Sequence, residues 1–155
     1  MDLTIRDGRL GALQPTVTKP HPDFLSQVGE ERLRALVNDH YELIRHTKIA
    51  FMFPVDYEED FSKVKKHAAD FLIQLCGGPD YYAQTRGDSR ILARHTRFRI
   101  DENGRRIWLE CYAELLPELE REGVDPKLIQ SFWDYLNTFS ILMVNTPRVQ
   151  GSGFE

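Results

Sequence analysis

Gly77-Gly78-Pro79-Asp80-Tyr81-Tyr82, then Arg86-Gly87-Asp88, then Arg94-His95-Thr96-Arg97-Phe98 form the stretch on which the fold of this chain turns. By residue type it is a place where regular structure breaks. Two glycines before a proline stop a helix, because glycine leaves the helical conformation freely and proline lacks the N–H that a helix needs. Gly87 and Asp88 mark a second break, and Asp88 can cap a short helix leading to His95. Residues 79–98 therefore read mostly as loop, with one histidine set between arginines.

On both sides of this stretch the patterns are helical. Before it, Phe61, Val64, Ala68, Phe71, Leu72 and Leu75 recur at three- and four-residue steps and so share one helical face. Ahead of Pro54, Leu33, Leu36, Val37, Tyr41 and Ile44 do the same over residues 30–44. After it, Asp101 suits an N-cap, and Trp108, Cys111, Tyr112 and Leu115 turn inward until Glu122-Gly123. Asp125-Pro126 is a cap followed by a proline at the first helical position. It opens a last helix with the inner stripe Ile129, Phe132, Trp133, Leu136, Ser140 and Met143, stopped by Pro147. Four long helical patterns without a strand pattern predict an all-α domain packed as two helix pairs around one core. A four-helix bundle with no ligand fits these patterns equally well. Gly8, Gly11, Pro15, Pro20 and Pro22 predict an irregular extension over residues 1–22 that lies outside the core.

Composition narrows the function classes. With 155 residues, 41% hydrophobic, 28% charged and a formal net charge of -4, the chain suits one globular domain. Its basic residues alternate with acidic ones, as in Glu30-Glu31-Arg32-Leu33-Arg34, which leaves no cationic face for nucleic acid. No apolar run approaches a membrane span or a signal peptide. Cys76 and Cys111 sit within apolar patterns and form no CxxC or disulfide framework, so a cytoplasmic, reducing compartment is expected.

The order Gly-Gly-Pro at 77–79, Tyr82, Arg86-Gly87, Arg94-His95, Phe98 and Trp108-Leu109 before Cys111 resembles the group II truncated haemoglobins. The likeness extends over residues 24–147, including Asp134-Tyr135-Leu136 and Val144-Asn145-Thr146-Pro147. It implies a truncated globin fold, a two-over-two helical sandwich around haem b, formed by residues 23–147 with a flexible tail at 148–155. It also implies that His95 is the proximal iron ligand. Chemistry explains the residue type: one ring nitrogen binds iron, and the other carries a proton that bonds a nearby acceptor and fixes the ring.

On the opposite face the resemblance assigns Tyr41 and Trp108 to the distal pocket, where they would carry any chemistry on a bound ligand. Bound dioxygen is partly negative at its outer atom, and a phenol O–H and an indole N–H can retain it. The remaining haem contacts implied are Phe53, Val64, His67, Ala68, Phe71, Tyr82, Arg86, Arg94, Phe98 and Met143. Phe53 stands where many relatives carry tyrosine or histidine, which removes one distal donor. His67 is either a propionate partner or exposed, or else a sixth iron ligand, while Tyr82 and Arg86 reach the propionates or haem edge. Lys63 and Lys66 are weaker candidates, and His21, His40 and His46 lack metal-ligand spacing and are read as structural or exposed. Gly29-Glu30 replaces the family's usual Gly-Gly, and one residue is missing between Tyr41 and Phe53.

The function implied is binding of dioxygen, nitric oxide or another diatomic ligand, with nitric oxide oxidation or peroxide reduction as redox extensions. No Gly-x-Gly-x-x-Gly motif is present, so redox turnover would require a reductase partner. The competing readings are a haem-based sensor or interaction protein acting through residues 1–22, and a globin fold that has lost haem.

Overall fold

The computed structural model describes residues 1–8, 15–86 and 99–146. Among these the regular structure is helical: α1 (Asp23–Val28), α2 (Glu30–Ile44), a 3-10 turn (Ala50–Met52), α3 (Glu58–Leu75), α4 (Tyr81–Arg86), α5 (Glu102–Arg121) and α6 (Pro126–Met143). The inner stripes become the core. Leu33, Leu36, Val37 and Ile44 of α2, Phe61, Leu72 and Ile73 of α3, Leu109 and Leu116 of α5, and Ile129, Phe132, Trp133 and Leu136 of α6 are all buried. The α2/α3 pair meets the α5/α6 pair through α2–α5 packing, with α1 against α2 and α6 and α4 against α3.

Local chemistry sets the boundaries. The Asp101 carboxylate accepts the Gly104 N–H at 2.7 Å and starts α5, and Asp125 accepts the Lys127 N–H at 2.9 Å ahead of Pro126 in α6. After α3, Gly77 takes φ +92, and a Cβ on Gly78 would lie 2.7 Å from Ile73 Cγ2 and Leu25 Cδ2. Both glycines of the stop are thus needed, one for its backbone angle and one for close approach.

Four expectations need correction. Residues 81–86 are helical rather than loop, because Ala83 N–H bonds the Gln74 Oε1 at 2.9 Å and Tyr82 and Phe71 rings meet edge-on at 5.3 Å. The short α1 was not legible, and it stands because Phe24 stacks on Phe132 at 4.6 Å. The last helix ends at Met143, before Pro147, because Asn145 and Thr146 N–H groups turn to the Ile100 carbonyl at 2.9 and 3.0 Å. The cap at Asp88 lies outside the described residues.

The fourth correction concerns the N-terminus: its described residues are irregular but attached to the core. Leu3, Ile5 and Val17 pack against the core. Asp2 exchanges hydrogen bonds with the Gln130 side chain at 2.6 and 2.8 Å, and Thr4 O accepts from Asn137 Nδ2 at 2.9 Å. Arg6 then closes a network around Arg105, which is only 2% exposed. All five guanidinium N–H groups are used: Nε to Ser140 Oγ, Nη1 to Arg6 O and Glu102 Oε2, and Nη2 to the Asn137 carbonyl and Oδ1, at 2.6 to 3.0 Å. A buried cation is tolerated only when so paired. Deleting residues 1–8 is therefore expected to cost about 2–4 kcal/mol, from orphaned bonds and exposed apolar surface. Thermal unfolding of the truncated and full chains checks this, and an unchanged Tm would contradict it.

Candidate functional site

Every described helix but α1 contributes to one cavity of about 410 Å³ at the junction of the two helix pairs. Its walls are mostly apolar, with Val64, Ala68, Phe71 and Leu72 from α3, Ile100 before α5, and Leu136, Phe139 and Met143 from α6. Tyr41 enters from α2, Phe53 from the turn after the 3-10 segment, Trp108 and Tyr112 from α5, and Tyr82 and Arg86 from α4. The structure thus gathers Tyr41, Phe53, Val64, His67, Ala68, Phe71, Tyr82, Arg86, Trp108 and Met143 around one space. Arg94, His95 and Phe98 lie outside the described residues. Lys63 and Lys66 do not line the cavity, and the Lys66 ammonium instead bonds Asp70 at 2.7 Å.

The polar groups on this wall are few and specific. Tyr41 is held edge-on by Phe53 at 5.4 Å and Phe61 at 6.0 Å. Among the described residues, nothing hydrogen-bonds its hydroxyl or the Trp108 indole N–H, although both residues line the cavity. Burial pushes the Tyr41 phenol up to about 12, so it stays a protonated donor near neutral pH. Arg86 is exposed yet lines the cavity, which puts it at the mouth, where a guanidinium suits a carboxylate. These features fit haem: an apolar slot for the porphyrin, a cation at the opening, and unpartnered donors inside.

Residue reasoning passed over two groups. Arg105 and Ser140 form a polar patch of the cavity wall, and His40 stands behind three other wall residues, Tyr41, Trp108 and Tyr112. His40 is fully buried, its Nε2 is 2.9 Å from the Trp108 carbonyl, and its ring stacks on Tyr112 at 3.6 Å. The signal was present, since His40 continues the Leu33, Leu36 and Val37 stripe at helical spacing.

Burial lowers the His40 imidazole to about 3, against the opposing pull of the Trp108 carbonyl. The unfolded chain takes up this proton below about 6.5, while the folded chain does not until far lower pH. Stability should therefore fall as pH drops from about 6.5, by up to about 1.4 kcal/mol per pH unit from this one group. The phenols facing it, Tyr41 and Tyr112, are neutral throughout that window. Denaturant unfolding between pH 6.5 and 4.5 should show a flatter profile for His40→Phe than for the wild type, and parallel profiles would refute the assignment.

An all-helical two-over-two sandwich with an aromatic, donor-bearing cavity at its centre defines a truncated globin. The family model for bacterial-like globins matches residues 24–145, and the chain belongs to that family. Its structure is similar to phosphate-bound Hell's Gate globin IV, with TM-score 0.82, 36% identity, and 94% of this chain and 89% of that one covered. The group II truncated haemoglobin of Bacillus anthracis matches with TM-score 0.72 and 26% identity over 90% of this chain and 98% of its own. The truncated oxygen-avid haemoglobin of Bacillus subtilis matches with TM-score 0.67 and 28% identity over 79% and 98%. Globin membership implies haem-based binding of small gases such as oxygen. No described helix is long and apolar enough to cross a membrane.

Proposed function

We propose that this chain holds haem b in the central cavity with His95 as the iron ligand, and binds dioxygen or a similar diatomic ligand against Tyr41 and Trp108. The observation that carries the reading is the pair of unpartnered donors, a phenol and an indole, facing one apolar cavity from two different helices. Bound there, haem supplies a metal that takes a diatomic ligand and exchanges electrons with it. The protein's own part is to orient, retain and shield. Tyr41 and Trp108 would donate hydrogen bonds to a diatomic ligand held there, and Val64, Ala68 and Phe71 would exclude water, which strengthens such bonds. Phe53 and Met143 pack on the porphyrin, and Arg86 with Tyr82 engages its edge. His67 would pair with a propionate or face solvent in preference to binding iron, since a charge partner demands less exact geometry than a metal bond.

Redox use of the bound ligand, as nitric oxide oxidation or peroxide reduction, extends this reading and requires an external reductase. Rapid mixing of the ferrous, oxygenated protein with nitric oxide, and of the ferric protein with peroxide plus a reducing substrate, tests it. Fast, saturable turnover supports an enzyme, and slow unsaturable decay rejects one. A sensor reading has its own observation: Arg6 O bonds Arg105, and Arg105 lines the cavity, so residues 1–8 touch the site through one side chain. Under that reading, the chain lacking residues 1–8 keeps its ligand chemistry and loses a partner contact.

A further inference from the structure

We propose that His40 is a positioning residue for ligand retention: through its bond to the Trp108 carbonyl and its stack on Tyr112, it sets where the Trp108 and Tyr41 donors stand. This rests on the ligand-binding reading above and assigns a role to a side chain that does not itself line the cavity.

One ring touches every aromatic group that matters here. His40 lies face to face with Tyr112, at 3.6 Å between centroids and 17° between planes. It meets Trp108 edge-on at 5.3 Å and 87°, and Tyr41 edge-on at 5.6 Å and 78°. A carbonyl only accepts, so the ring nitrogen 2.9 Å from Trp108 O carries the proton, and the neutral ring leaves Nδ1 bare. That Nδ1 is buried and has no hydrogen-bond partner among the described residues. A bare polar nitrogen inside the core is a cost, and phenylalanine at the same place in the α2 stripe would bury a ring without it. What histidine adds is the bond to α5.

That bond falls where the site is most sensitive to drift. Tyr41 rides on α2 and Trp108 on α5, so the separation of the two donors depends on how these helices dock. Among the described residues, the other side-chain hydrogen bond from α2 to this helix, Arg32 to Glu122, lies at the C-cap of α5 and is partly exposed. Hydrogen bonds weaken steeply with angle and with tenths of an ångström. A tie at the level of Trp108 holds both donors in register with one ligand, and its loss should appear as faster ligand escape.

The test compares His40→Phe, which keeps the ring and removes the bond, with His40→Gln, whose amide can reach the Trp108 carbonyl. For haem-loaded protein, dioxygen dissociation by stopped flow, the C–O stretching band of the ferrous carbon monoxide complex, and the crystal structure of each variant are measured. Expected for His40→Phe are a roughly tenfold faster dissociation, a shifted C–O band and a displaced Trp108 ring. His40→Gln should recover part of each change. Wild-type kinetics, band and ring position in His40→Phe would overturn the role. So would equal changes in both variants accompanied by an equal fall in Tm, the mark of a ring that merely fills space. If wild-type protein takes up no haem, the ligand-binding reading itself fails, and this role with it.

Discussion

His95→Ala is expected to abolish the Soret band of the purified protein and to release haem to an acceptor protein. Alanine removes the only bond between chain and iron in this reading, leaving the porphyrin held by packing and its propionates. Losing a partner that merely orients a metal-bound histidine costs about 10–100-fold in metal affinity, so losing the histidine itself should cost more. His95→Gly with added imidazole should restore the band, because the small ligand occupies the vacated space and supplies the same nitrogen. The alternative iron ligand under the same reading would be His67, on α3. Should His95→Ala keep a normal spectrum while His67→Ala loses it, the iron would be bound from α3 and the assignment of the two faces would reverse. A five-coordinate high-spin spectrum in both wild type and His67→Ala would remove His67 from the metal altogether.

Tyr41→Phe and Trp108→Leu should each speed dioxygen dissociation about tenfold to a hundredfold. A hydrogen bond to a charged group contributes about 1.5–3 kcal/mol, and each 1.4 kcal/mol is a factor of ten. Phenylalanine keeps the edge-on contacts of Tyr41 with Phe53 and Phe61, so its effect isolates the hydroxyl. The double variant should lose more than the product of the single effects if both donors serve one ligand atom, since in each single variant the remaining donor partly compensates for the one removed. Because burial raises the Tyr41 phenol to about 12, the wild-type dissociation rate should be flat from pH 6 to 9. A rate that rises between pH 9 and 10, or single variants that behave as wild type, would contradict a ligand held by these donors.

Much of the fold was legible because helical burial leaves a periodic trace. The stripes ending at Ile44 and Leu75 and the caps at Asp101 and Asp125 reappear as α2, α3, α5 and α6. Short elements left no such trace. The six residues of α1 and of α4 are too few to show a period, and both depend on distant partners: Phe132 for α1, Gln74 and Phe71 for α4. Leu3 and Ile5 are two apolar residues in an otherwise irregular segment, and only their packing on the core beside the Thr4–Asn137 bond explains why they are held. Arg105 reads as one more helical surface charge until Arg6, Glu102, Asn137 and Ser140 close around it.

For the site, the resemblance carried by residues 77–111 named Tyr41, Trp108 and eleven further residues, and the structure brings the described ones to a common cavity. Metal-ligand spacing does not single out His40, because the partner of this histidine is a backbone carbonyl on another helix. The amino-acid sequence alone determined where the four long helices run, which face of each is apolar, and where the chain breaks at Gly77-Gly78-Pro79 and Glu122-Gly123, since these follow from local sterics and from water's exclusion of apolar side chains. Only the tertiary structure decided that Tyr41 and Trp108 share one space with their donors unclaimed, that Arg105 is buried beneath residues 1–8, and that His40 links α2 to α5. Hydrogen-bond partners between helices depend on distances that no spacing along a single helix encodes.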